Sequence, residues 1–305
     1  MKEKKYRYFR ITVQFLFFFS LYTVSLSADD TIPTGSRFLN LLKGNEHSPY
    51  RLHWGIDLGI TAGCGSLYFL SNFITSNYEQ LTADDLSRFS PEQVNSFDRW
   101  AIGPTNENID FASWVTNACI VNYMWIMFLG KESRRDFTKV LAMYAEAYLM
   151  YPLAQKLTHP VFARKRPYFY SDEESVEKRL GGMAQTSFVS GHVNYAFCFA
   201  VMTPILFSNY YPESPLRFIV WSVSLSTAVA TAALRVAGHY HFPTDVIGGA
   251  VTGSLIGWYI PFMHKKRSGR NRVAITPQLL NDGSRGLALT LRMPSRRTIN
   301  RSSEN

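Results

Sequence analysis

The chain has 305 residues, 46% hydrophobic and 15% aromatic, enough to bury one large helical core or to meet lipid. Its formal net charge is +9. The densest basic runs lie at the N-terminus, around residues 164–166 and directly after the last apolar segment, which fits membrane flanks and anion binding and argues against a nucleic-acid-binding stripe.

In chain order, Lys2 to Arg10 is basic, Ile11 to Leu26 is mostly apolar, and Ser25, Ser27 and Ala28 precede Asp29-Asp30. This is the layout of a secretory signal, so residues 1–28 read as a signal peptide cut near Ala28 or as a retained signal anchor. Residues 29–136 read as an N-terminal helical region with a polar, acidic insert. That insert, Glu79 to Asp110, predicts one or two short surface helices with Thr82 as an N-cap, and its carboxylates read as a solvated face. Cys64, Cys119 and Cys198 lie far apart inside apolar stretches, without metal-ligand spacing or a disulfide framework, and read as buried small hydrophobes.

Apolar stretches run over about 53–74, 113–130, 137–155, 191–208, 218–234 and 246–263, and several approach the ~20 residues that span a bilayer. Asn117, Asn122, Glu146 and Asn194 interrupt them, and the mean hydropathy of -0.09 keeps a soluble bundle as the alternative. Lys131, Arg134 and Arg135, then Lys265, Lys266, Arg267 and Arg270, follow two of these segments. The positive-inside tendency puts both groups and the N-terminus on the cytoplasmic side, provided 53–74 does not cross. The count is six crossings with the leader retained and five without it. Loops 156–190 and 235–245 then emerge together on the non-cytoplasmic side. After residue 264 the tail is basic; Val273 to Met293 carries two short apolar runs around Asn281-Asp282-Gly283, which predicts a small hairpin.

Three clusters carry chemistry. Arg164-Lys165-Arg166-Pro167 offers guanidinium forks that pair with phosphate oxygens. Ser190-Gly191-His192 opens an apolar helix, where a hydroxyl, backbone amides and the helix dipole favour an anion and His192 is placed as a general acid. In the third cluster Arg235 precedes His241 and Asp245. Asp245 is expected to accept a hydrogen bond from one ring nitrogen of His241, leaving the other to attack phosphorus while Arg235 stabilises the transition state. His239 lacks a carboxylate at that spacing and reads as structural or peripheral.

Arg166-Pro167, Ser190-Gly191-His192, Arg235, His241 and Asp245 resemble the three-part signature of the type 2 phosphatidic acid phosphatase (PAP2) family, which shares its scaffold with vanadium haloperoxidases. The resemblance spans roughly residues 137–260. It departs from the family pattern at His159, where the family has a lysine seven residues before Arg166, at Val189 in place of proline, and at Leu234 in place of serine. Lys156, Lys165 and Arg164 are the candidates to take over from the displaced lysine.

The resemblance implies an all-α helical bundle with a catalytic core over 137–263; residues 264–305, outside the resemblance, read from composition as a basic, partly disordered tail. It implies hydrolysis of a phosphomonoester or pyrophosphate, of a lipid by preference, through a phosphohistidine on His241. His192 is then the acid and Asp245 the support, with Arg166, Arg235, Ser190 and Gly191 around the phosphoryl group and no metal or other cofactor. The expected partners are a lipid or other small phosphate and the membrane, not nucleic acid. The expected location is the cytoplasmic (inner) membrane with the site facing the periplasm or exterior, or else a soluble periplasmic or secreted form. The alternatives are a vanadate-dependent haloperoxidase on the same scaffold and a catalytically idle membrane or interaction protein.

Overall fold

The computed structural model describes residues 48–76, 81–266, 272–279 and 285–292; the predicted leader and the hairpin's turn lie outside them. Up to His264 the chain is one helical unit. Its main helices are α1 (Trp54–Ser76), α2 (Ala83–Arg88), α3 (Ser96–Arg99), α4 (Glu107–Asn122), α5 (Phe137–Phe162), α6 (Gly191–Tyr210), α7 (Leu216–Ala237) and α8 (Pro243–His264). The tail from Lys265 is a separate unit in which β1 (Arg272–Leu279) pairs antiparallel with β2 (Arg285–Arg292), Arg272 opposite Arg292.

Among the described residues, three helices are long and apolar enough to cross a membrane, α6, α7 and α8, where five or six crossings were expected. The predicted 113–130 stretch is broken: α4 stops at Asn122, and a 3-10 turn, Tyr123–Trp125, intervenes before Ile126–Leu129. Helix α5 has 26 residues but carries Lys139, Glu146, Lys156 and His159 along its length, and each ionisable side chain is costly in hydrocarbon. Of the three apolar helices, α6 is mostly packed inside the bundle, whereas α7 and α8 present apolar outer faces. Phe218, Ile219 and Val229 on α7, and Ile247, Val251, Leu255 and Phe262 on α8, are all exposed large hydrophobics. Cys64 and Cys198 are buried as expected, whereas Cys119 is exposed on α4.

The α6–α8 contact sets the geometry of everything near the three clusters. Gly249, Gly253 and Gly257 recur every four residues, so they form one stripe on α8. A Cβ on them would fall 2.7 Å from the Ser190 carbonyl, 2.2 Å from that of Asn194 and 2.1 Å from that of Cys198. Only hydrogen fits in that space, which lets two backbones meet where larger residues hold helices 8–10 Å apart. The stripe continues to the helix starts, where the Ser190 amide donates to the Asp245 carbonyl at 3.1 Å. Behind this seam, Met143, Tyr144 and Ala147 of α5 join Ala196, Phe199, Met202 and Leu206 of α6 and Ile260 of α8 in the apolar core.

Candidate active site

Each cluster reaches the site through a helix end. Helix α5 stops at Ala163, whose φ of 39° lies in the left-handed region, an unusual conformation for a residue with a Cβ that turns the chain out of the helix. Residues 164–166 then cross the end of the bundle, tied by the Arg166 amide to the Ala184 carbonyl at 2.8 Å. Helix α7 stops at Ala237, with Gly238 and His239 (φ 61°) reversing the chain toward His241. Helix α8 begins at Pro243, where the fixed φ of proline suits the first helical position.

Arg166 is 4% exposed and Arg235 2%. One terminal nitrogen of Arg166 donates to the Thr186 carbonyl at 3.3 Å. Arg235 is held by the Asp110 carboxylate and by Ser113 Oγ at 3.1 Å, and its guanidinium lies 4.4 Å from the Tyr240 ring centroid. The Nε of each arginine and the Oγ of Ser190 are buried without a hydrogen-bond partner. A buried donor left unmade costs about 1–3 kcal/mol, more when charged, so three in one region need an account. They belong to one residue from each cluster. His192, on the first turn of α6, stacks edge-on against Trp114 with centroids 4.3 Å apart.

His241 is 2% exposed, and its Nδ1–H donates to the Ser187 carbonyl at 2.9 Å. This departs from the expected direct dyad, because Asp245 Oδ2 is 3.8 Å from Nδ1. The Asp245 carboxylate is occupied otherwise. Oδ2 accepts from Ser187 Oγ at 2.5 Å and from the Phe242 amide at 2.8 Å, and Oδ1 accepts from Arg164 at 2.6 Å. Asp245 therefore acts on His241 through Ser187: it fixes the residue whose carbonyl fixes the ring. Burial, then the charges of Arg166 and Arg235, push the His241 pKa well below the ordinary histidine value. A neutral ring with Nδ1 protonated leaves the Nε2 lone pair as its nucleophilic centre.

The three candidates for the displaced lysine all point elsewhere. Arg164 bridges two fully buried carboxylates, donating to Asp245 and, at 2.6 Å, to Asp98. Lys156 donates to Asn72 of α1 at 2.7 Å, and Lys165 sits 4.3 Å from the Phe89 ring centroid. The family's lysine position holds His159, 6% exposed, whose pKa is pushed down to about 4 by burial and then by Arg166 and Lys156. The first cluster thus contributes one guanidinium, Arg166, beside a neutral imidazole.

The acidic insert is not a solvated face throughout. Asp98 is fully buried and accepts from Arg164, from Thr244 Oγ1 at 2.6 Å and from Asn95 at 2.7 Å. Burial alone would raise its pKa, but the bonds from Thr244, Asn95 and Arg164 outweigh this and hold it below the usual carboxylate value. Asp110, at the end of the same insert, holds Arg235. Ser187, Asp98 and Asp110 escape a sequence reading, since no local spacing links them to their partners; an excess of acidic residues facing an excess of arginines is the only trace. The Nδ1–H of His239 donates to the Ala101 carbonyl at 2.8 Å.

Two buried arginines, the start of α6 and a neutral histidine thus lie at one end of a helical bundle. Residues 138–268 match the family model of the PAP2 superfamily. Among curated proteins it is similar to the lipid A 4'-phosphatase of Porphyromonas gingivalis, 24% identical over 151 residues, or 49% of this chain. The chain spans 61% of that relative's length. Among solved structures it is similar to a transmembrane PAP2-type phosphatidylglycerolphosphate phosphatase from Bacillus subtilis, with a TM-score of 0.40 and 20% identity, covering 66% of this chain and 94% of the other.

Proposed function

We propose that this chain is a phosphatase that removes a phosphoryl group from a lipid phosphomonoester or pyrophosphate at the non-cytoplasmic face of a membrane. The observation that carries this reading is the set of unpartnered buried groups, Arg166 Nε, Arg235 Nε and Ser190 Oγ, in the clusters around His241. Phosphoryl oxygens satisfy them, and the two guanidiniums offset charge that builds on those oxygens in the transition state. The match to the PAP2 family model and the lipid-phosphate substrate in the name of the Porphyromonas gingivalis relative support the substrate class.

In the first step the Nε2 lone pair of His241 forms the N–P bond as the bond from phosphorus to the leaving oxygen breaks, and His192 protonates that oxygen. In the second, His192 takes a proton from water, whose oxygen attacks phosphorus and expels His241 Nε2. The ring gains positive charge as the N–P bond forms, and Asp245, 3.8 Å from Nδ1, offsets it. The cations in this scheme are arginines, so turnover proceeds without added metal. Basic Lys265 and Lys266 follow α8, which supports placing the start of α8 and its site on the outer side. The test is phosphate release from a panel of lipid and soluble phosphates, without added metal, by the wild type and His241→Ala. Release by the wild type alone, fastest on lipid phosphates, is expected. Undiminished release by a folded His241→Ala protein would overturn the mechanism.

A further inference from the structure

The other end of α8 gathers ionisable groups that the proposed chemistry does not use. His264, its last residue, lies about 28 Å along the helix from Asp245 at 1.5 Å per residue. His264 and Glu146 of α5 are buried, and Asp57 lies in the first turn of α1. Each of the three offers a ligand atom within 4.8 Å of the other two. His264 Nε2 is 2.7 Å from Glu146 Oε2, and Nδ1 faces the Arg51 carbonyl at 3.3 Å and Asp57 Oδ1 at 3.9 Å. The remaining Glu146 oxygen, Oε1, and Asp57 Oδ1 are both buried without a hydrogen-bond partner.

Charge counting shows what this arrangement lacks. Two carboxylates carry two negative charges, and a protonated His264 offsets only one. A dication bound by a neutral His264 balances both and gives the two unpartnered oxygens an electrophile. We propose that Asp57, Glu146 and His264 form a binding site for a divalent transition-metal ion of the zinc type, a structural staple at the end of the bundle opposite the catalytic site. One imidazole and two carboxylates suit zinc, cobalt or manganese, whereas calcium and magnesium take oxygen donors in larger number. Ligand bonds of about 2.0–2.2 Å place donor atoms roughly 3.4 Å apart, so side-chain shifts of about 1 Å close the site. The ion displaces the imidazole proton and joins α1, α5 and α8. It also secures the segment before α1, whose Arg51 amide donates to the His264 carbonyl at 2.8 Å. The ligands are far apart in sequence, so no metal-binding motif announces them.

The experiment uses the full chain, purified in detergent, stripped with a chelator and then given Zn2+ alone. The site predicts retention of about one equivalent after desalting and a melting temperature raised by several degrees, with no rise from Mg2+. Glu146→Gln and His264→Asn should each lose both effects. Should those variants not fold, Co2+ on the wild type gives a separate readout: weak visible absorption bands that Zn2+ abolishes. Wild-type protein that retains no zinc and melts at the same temperature with and without it overturns the proposal, as does equal retention by folded variants. Phosphate release measured below the melting temperature should be the same in stripped and zinc-loaded protein, which keeps this test separate from that of the proposed activity.

Discussion

The second and third clusters and the first one reach the same site by different means, and the contrast shows which part of a motif is local. Ser190, Gly191, His241 and Asp245 stand at or beside the starts of α6 and α8, and those starts are locked by a glycine stripe and one amide-to-carbonyl bond. Their positions follow from helix geometry, so spacing in sequence translates directly into spacing in space. The first cluster leaves α5 through a left-handed Ala163 and runs as loop, so each side chain goes where its partner is. Arg164 goes to two carboxylates, Lys165 to an aromatic ring, and only Arg166 turns to the site.

The contrast can be broken by removing the arginine from each side. Arg166→Ala and Arg235→Ala should each lower kcat/KM by about 10²- to 10³-fold, the usual loss when one preorganised donor to a developing oxyanion is removed. A loss confined to Arg235→Ala would mean that the first cluster contributes nothing to the site. Steady-state phosphate release on folded, purified variants measures it.

Next in size is the seam that locks the second and third clusters. Gly253→Val places carbon 2.2 Å from the Asn194 carbonyl, where backbone has to move. Overpacking of this kind costs about 1–3 kcal/mol and should lower the melting temperature in detergent. It should also reduce turnover, because α6 and α8 set the distance from Ser190 to His241. A Gly253→Val protein as stable and as active as the wild type would show that the stripe does not set the site.

The smallest effect concerns the clamp that takes Arg164 out of the site. Asp98 has a folded pKa below its unfolded value. Its contribution is therefore complete above the unfolded value of ~3.9 and disappears as pH falls through the lower folded one. His241 acts earlier in the same direction: a folded pKa below the ordinary ~6.5 makes the unfolded chain bind the extra proton, so stability falls as pH drops below that value. Acid unfolding followed by circular dichroism should begin below about pH 6.5 and be gentler in Asp98→Asn at the lowest pH. An Asp98→Asn curve that superimposes on the wild type over the whole range would remove Asp98 from the account.

Much of the fold and site was legible beforehand, for definite reasons. The apolar run of α8 over 246–263, the N-terminal placement of Ser190 on α6 and the grouping of Arg235 with His241 all rest on short-range rules. What stayed hidden depends on tertiary approach. Asp98 meets Arg164 across 66 positions, Asp110 meets Arg235 across 125, and Ser187 comes between His241 and Asp245 only because α6 and α8 touch. The crossing count went astray at 113–130 and 137–155 for a related reason. Asn122 and Glu146 stand out in the sequence as polar interruptions, but nothing local shows that the helix ends at Asn122 or that Glu146 is buried against His264, 118 positions away.

The central claim is that His241 is the nucleophile of this site, held through its Nδ1 by Ser187 and presenting Nε2 to phosphorus. The most direct test is a rapid quench, under conditions that preserve N–P bonds, of wild type and His241→Ala incubated with a substrate labelled in its phosphoryl group. Acid-labile, base-stable label on the wild type, mapped to His241 and absent from the variant, is the predicted result. Label on another residue, or equal label on a folded His241→Ala protein, would contradict it.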